Sequence, residues 1–153
     1  MAALWRGVRV GRVWPAVSGF FPRAAYLQVK AIGDAGADWH YRLLNEYSLD
    51  IHAAHALVGP GARFVGVRVP ESYAHWISPG VCYNRVGYWE VPNSRVLYDT
   101  AGGALRSFGI ASLISWRGVW YVVHLGAILR PGPGGVVDDP SAGPGVSAYS
   151  GTC

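Results

Sequence analysis

Charge is what this chain has least of. Only 14% of its 153 residues are Asp, Glu, Lys or Arg, while 51% are hydrophobic. That balance excludes intrinsic disorder and allows one domain with a full core, not two. Acid is absent from the first 30 residues, where Arg6, Arg9, Arg12, Arg23 and Lys30 have no counter-charge. The remainder holds eight Arg against nine Asp and Glu and sums to −1. The formal +4 therefore belongs to the N-terminus, and the domain lacks the basic footprint that nucleic-acid binding needs. Lysine is nearly missing too, since twelve of the thirteen cations are Arg. No apolar run approaches the roughly 18 residues of a membrane-spanning helix. There is no P-loop, no G-x-S-x-G elbow and no C-x-x-C pair, and no cofactor is called for. Gly59-Pro60-Gly61 meets Phe64 where a dinucleotide fingerprint requires glycine. No internal repeat is present.

What the chain does have is a strong hairpin signal in Ala104–Ala127, two apolar runs split by Arg117-Gly118. With those two residues as the turn, Trp116 faces Val119, Ile114 faces Tyr121, Ser112 faces Val123, Ile110 faces Leu125 and Phe108 faces Ala127. Side chains alternate along a strand, so these bulky groups share one face. The other face carries Ser107, Gly109, Ala111, Leu113 and Ser115, with Trp120, Val122, His124 and Gly126 opposite. The expectation is helices packed closely over the small residues; a pocket on that same face is the alternative.

The rest of the chain falls into three parts. Residues 1–23 form a basic stretch with three readings: a degenerate export signal, an amphipathic arm, or a segment outside the native structure. Residues 24–130 form the domain. Its first part reads as helical, with Asp38 as a cap and Trp39, Leu43, Tyr47 and Ile51 recurring every four residues; Ser48 is a candidate break and Gly59-Pro60-Gly61 a firm end. Strands follow over 62–69, with Val65, Val67 and Val69 inward, then over 81–91 and 95–100, with a turn at Pro92-Asn93-Ser94. Residues 131–153 hold ten Gly or Pro among 23 and read as an extended tail, docked or mobile. The predicted fold is α+β, with N-terminal helices on one face of a curved, mostly antiparallel sheet of about five strands.

Helices before a meander, with Asp38-Trp39 early and Trp116-Arg117-Gly118-Val119-Trp120-Tyr121 late, resemble the NTF2-like (cystatin-like) superfamily over about residues 25–128. The chain also resembles uncharacterised exported proteins of actinobacteria. The superfamily resemblance implies a cavity between sheet and helices into which acid–base groups project, and pairing through the outer sheet face in a homodimer.

Cys82 and Cys153 are the only cysteines. A disulfide between them would draw the tail across the sheet in an oxidising compartment, worth about 4 kcal/mol on a chain-entropy account; two unrelated thiols are the alternative. His52 and His55 lie one turn apart on a helix, but metal needs three or more converging ligands, so a polar face is expected and no metal. His124 is the histidine of interest. A carboxylate such as Asp38, or a tyrosine such as Tyr41, would make it a general base; a hydrogen-bonded core histidine is the bland reading.

Two functions follow. The first is a non-catalytic binding or accessory domain, extracytoplasmic and associated with the cell envelope. Trp120, His124, Tyr83 and Trp89 would border its site for a small apolar ligand or an envelope protein. The second is a small NTF2-like isomerase, dehydratase or hydrolase using His124 and Asp38.

Overall fold

The computed structural model describes residues 1–148. It is an α+β fold, with N-terminal helices laid on a curled antiparallel sheet of six strands. Helix α1 (Ala2–Val10) ends at Gly11 in the left-handed conformation. A 3-10 turn (Trp14–Gly19) leads to α2 (Arg23–Val29). Helix α3 (Ala35–Ala37) then runs straight into a π-helical segment, Asp38–Leu44, and on into α4 (Asn45–Val58). The cap of this composite helix is Asp34, whose carboxylate accepts the Ala37 N–H at 2.8 Å; Asp38 lies inside the helix. Ser48 does not interrupt α4, and Gly59 ends it. Trp39, Leu43, Tyr47 and Ile51 are all buried. Trp39 and Leu43 lie in the π segment and Tyr47 and Ile51 in α4; four residues fall short of a π turn and overshoot an α turn, so the two drifts offset and the stripe stays on one face.

Residues 1–23 are integral to the helical layer rather than an arm beside it. Leu4, Trp5, Val8, Ala16, Phe20 and Phe21 join the same core as the sheet. Trp5 packs on Phe64 and Tyr98, with ring centroids 5.6 and 6.1 Å apart. The Phe21 N–H donates to the Val122 carbonyl at the sheet edge, at 2.9 Å.

The strands are β1 (Arg63–Arg68), β2 (His75–Ile77), β3 (Tyr88–Asp99), β4 (Leu105–Trp116), β5 (Val119–His124) and β6 (Asp138–Ala142). The central pair is β3 and β4. On the outer edge of β3 lie β1 and β2, and on the outer edge of β4 lie β5 and β6. Three sequence expectations fail here. Strand β3 runs unbroken through Pro92-Asn93-Ser94, and the chain before Tyr88 is a 3-10 turn (Val81–Tyr83) rather than strand. In β1 a bulge at Val65 leaves Val65 and Val69 exposed, while Val67 packs on the core.

The hairpin turns where expected. Arg117 and Gly118 take φ of 51° and 80°, and Trp116 pairs with Val119 and Ile114 with Tyr121. The ladder then slips: Leu113 pairs with Val122, but Ser112 pairs with His124, so Val123 is an extra residue. The expected pairs from Ser112 downward are lost, and β6 occupies that part of the edge through Arg106, Ser107 and Gly109.

The faces are also reversed from expectation. The helices cover the bulky face, where Phe21 meets Trp116 and Tyr121 edge-on at 6.4 and 6.1 Å. The small-residue face receives the tail. There Arg95, opposite Gly109, donates to Asp139 at 2.6 Å and to Ser107 at 2.8 Å, and a Cβ on Gly145 would lie 2.3 Å from its guanidinium. Small side chains here make room for a crossing chain, not for a helix.

Candidate functional site

A cavity of about 270 Å³ lies between the sheet and the segment from α2 to the π helix. Its apolar wall includes Phe21, Val29, Leu43, Ile114, Val123 and Ile128; Lys30, Glu90, Ser112 and His124 are polar groups among them. Apolar lining with a few convergent polar groups is the usual make-up of a small-molecule site.

The β5 bulge brings His124 here. Without it, alternation would place the imidazole beside Trp120; the extra residue turns His124 to the side of Ser112 and Ile114. Burial first, then the positive charges of Arg42 and Arg130, lowers its pKa to about 4, so the ring is neutral at pH 7. It makes no hydrogen bond to a described residue. Glu90, buried on β3, accepts a hydrogen bond from the Ser112 hydroxyl and lies 4.0 Å from His75 Nε2.

Lys30 closes α2. Its Nζ donates to the Cys82 carbonyl at 2.9 Å. Burial, followed by the charge of Arg42, lowers its pKa, against the opposing pull of Asp38 and Glu90. The Cys82 carbonyl sits on a strained turn, with Cys82 and Tyr83 both left-handed at φ 54° and 56°. Each such non-glycine residue costs about 1–2 kcal/mol, and strain of this kind collects at ligand clamps and active sites. The turn is tied to the end of α2 by Ala31 N–H to the Tyr83 carbonyl at 2.7 Å and Arg85 N–H to the Val29 carbonyl at 2.6 Å.

Asp38 is committed elsewhere. Its carboxylate accepts from the Tyr26 hydroxyl and from Arg42, at 2.7 Å through Nε and 2.6 Å through the terminal nitrogen. The Arg42 bonds, more than any other influence, hold its pKa below the usual carboxylate range, while burial first of all raises that of Tyr26. The pairing of His124 with Asp38 is therefore not assembled, because the π helix turns Asp38 toward α2. Tyr41 points to solvent, 76% exposed.

Of the four residues expected to border a ligand, the structure brings His124 and Tyr83 together at the cavity. Trp89 and Trp120 lie on the opposite face, beside Ser115. Cys82 lines the cavity, whereas Cys153, and with it the expected Cys82–Cys153 bond, lies outside the described residues. The His55 ring bonds the Val8 carbonyl at 2.9 Å and His52 is exposed. Among the described residues no three His, Cys, Asp or Glu side chains converge as a metal site, and no helix is long and apolar enough to cross a membrane.

Sequence reasoning missed Lys30, Glu90, Ser112, Tyr26 and Arg42 as wall groups. Two signals were there: Lys30 is the single lysine, and Glu90 sits at an inward-alternating position between Tyr88 and Pro92. The chain matches no family model, no curated protein and no solved structure.

Proposed function

We propose that this chain is a non-catalytic binding domain for a small, largely apolar molecule held in the cavity between α2, the π segment and the sheet. The observation that carries this is the unused hydrogen-bonding capacity, among the described residues, of the His124 ring on a wall that is largely apolar with a few polar groups. A buried polar side chain ordinarily finds a protein partner, so a ring left open on a cavity is suited to a guest. The geometry supports binding over the acid–base alternative because Asp38 is bonded to Tyr26 and Arg42. Helices closing a cavity against a curled sheet support the resemblance to the NTF2-like superfamily. An extracytoplasmic location, where a Cys82–Cys153 disulfide would form, belongs to the same proposal.

The test is NMR shift mapping with small aromatic alcohols such as benzyl alcohol. Perturbations should centre on Ser112, Val123 and Val29 and vanish in Val123→Trp, which fills the cavity. Perturbations confined to other surfaces would overturn the reading.

A second element of the proposal is self-association through the outer sheet face. Trp76 pairs with Trp89, Trp89 N–H donates to the Ser115 hydroxyl at 3.2 Å, and Ser115 pairs with Trp120. The three indoles thus form one row across four strands, and they are 49%, 49% and 43% exposed. Contiguous exposed aromatics of this kind mark interaction surfaces.

A further inference from the structure

We propose that Lys30 is a carbonyl-capture residue, forming a reversible Schiff base with a small apolar aldehyde or ketone seated in the cavity. This rests on the cavity being the binding site and names the chemical class of its ligand.

Four observations converge on this amine. Lys30 is the only lysine among thirteen cations, and it stands on the cavity wall. A guanidinium in its place would stay protonated and could not act as a nucleophile, whereas a desolvated ammonium readily gives up its proton. Its Nζ forms no ion pair among the described residues; its one hydrogen bond is donated to the Cys82 carbonyl, which fixes the nitrogen without consuming the lone pair of the neutral amine. The carbonyl that holds it belongs to the strained Cys82-Tyr83 turn. Burial and the nearby charge of Arg42 raise the share of neutral amine at pH 7.

The chemistry closes without an oxidant or reductant. The nitrogen lone pair attacks the carbonyl carbon, and the C=O π electrons move to oxygen. One proton passes from nitrogen to that oxygen, giving a neutral carbinolamine; Glu90, on the same wall, is the base that relays it. The second nitrogen proton and the hydroxyl then leave together as water, and the C=N bond forms. Hydrolysis runs the same steps backward, so capture is reversible.

The experiment uses this chain prepared with Met1 as its free N-terminus, so that Lys30 is compared with the Met1 α-amine. It is incubated with benzaldehyde and cyanoborohydride near pH 7, and the reduced benzyl adduct is mapped by mass spectrometry. Lys30 should label roughly tenfold or more over Met1, the gain expected from burying an aromatic ring. That preference should disappear in concentrated urea, and formaldehyde, which needs no apolar wall, should label both amines comparably. Benzaldehyde labelling Met1 as fast as Lys30, or an undiminished preference in urea, would overturn the proposal. Benzyl alcohol separates the two failures. If it perturbs Ser112 and Val123 while Lys30 stays unlabelled by benzaldehyde, the cavity reading stands and capture falls. If it perturbs neither residue, both fall.

Discussion

Two polar clusters sit inside this domain, one buried around Asp50 and one half-buried on the cavity wall, and they are finished to different degrees. The Asp50 carboxylate, on α4, accepts the Gly126 and Val136 N–H groups at 2.9 Å each and a two-pronged Arg130 at 2.8 Å. Both oxygens are doubly engaged, and the cluster ties the helix to the chain after β5. In the cavity, among the described residues, the His124 ring has no hydrogen-bond partner and Lys30 Nζ has one. The Asp50 carboxylate is saturated and holds the fold, although Arg130 Nε is left without a hydrogen bond among the described residues. Capacity left open in an interior wall is useful only for something that enters and leaves. What separates the candidate functional group here is that its open capacity faces a cavity, since Arg130 Nε and Arg95 Nε are also left over but sit in closed structural clusters.

The comparison breaks most visibly at Asp50. Replacing it with Asn leaves the Arg130 guanidinium with only the partly exposed Glu46, 3.8 Å from its Nε, and removing one partner of a buried pair costs about 3–5 kcal/mol. For a chain of this length that lowers the melting temperature by about 10 °C. His124→Gln, which strands no partner, should cost no more than about 1 kcal/mol. Thermal and urea unfolding of both variants measures this directly. Equal losses would mean that the open cluster is as structural as the closed one.

A pH titration sharpens the same contrast. An unfolded chain protonates His124 near 6.5, whereas the folded one holds it neutral to about 4. Between those values the unfolded state binds a proton that the native state refuses, so stability falls as pH drops from 6.5 to 4. Above 6.5 the contribution is complete. Its size is at most about 3 kcal/mol, and His124→Gln should flatten the slope across that window. A slope unchanged by the substitution would place the imidazole in contact with solvent rather than in the wall.

Much of the scaffold is legible in the chain, and the reasons are local. Arg117-Gly118 demands a tight turn because both residues take positive φ, and the four-residue stripe from Trp39 to Ile51 marks a buried helix face. The site is less legible because it depends on one extra residue. Val122, Val123 and His124 are all acceptable in a strand, and nothing in their order says which is bulged. Yet that single insertion carries the imidazole from the Trp120 side to the Ser112 side. The π segment is equally silent: Asp38 looks like a cap, and only the wider turn commits it to Tyr26 and Arg42. The tail's glycines read as looseness, although Gly145 is required because Arg95 leaves no room for a Cβ.

That last point is testable at smaller scale. Gly145 has φ 61°, and an added methyl would press on a guanidinium pinned by Asp139 and Ser107. Gly145→Ala should cost about 1–3 kcal/mol. Hydrogen exchange should quicken in β6 and at its partner positions in β4, while the amides around the cavity keep their protection. Faster exchange at Ser112 and His124 as well would mean that the two faces of the sheet are one cooperative unit, and the division drawn between them would fail.

The smallest effect on stability belongs to the outer row of indoles. Trp76, Trp89 and Trp120 each keep about half of their surface in solvent, so replacing one with Gln should change folding stability by less than about 0.5 kcal/mol. Solution behaviour is where these residues should register. If two copies meet through this face, the sheets stack with the indoles at the centre of the contact, where aromatic anchors contribute most of the binding energy. Sedimentation of the unmodified chain at high micromolar concentration should then show a dimer, and Trp89→Gln should shift it to monomer without altering benzyl alcohol binding in the cavity. A monomer at every concentration would discard self-association. A dimer indifferent to Trp89 would move the contact off this face. Loss of cavity binding in the same variant would be the most consequential result, because Trp89 shares β3 with Glu90 and the strand would then couple its two sides.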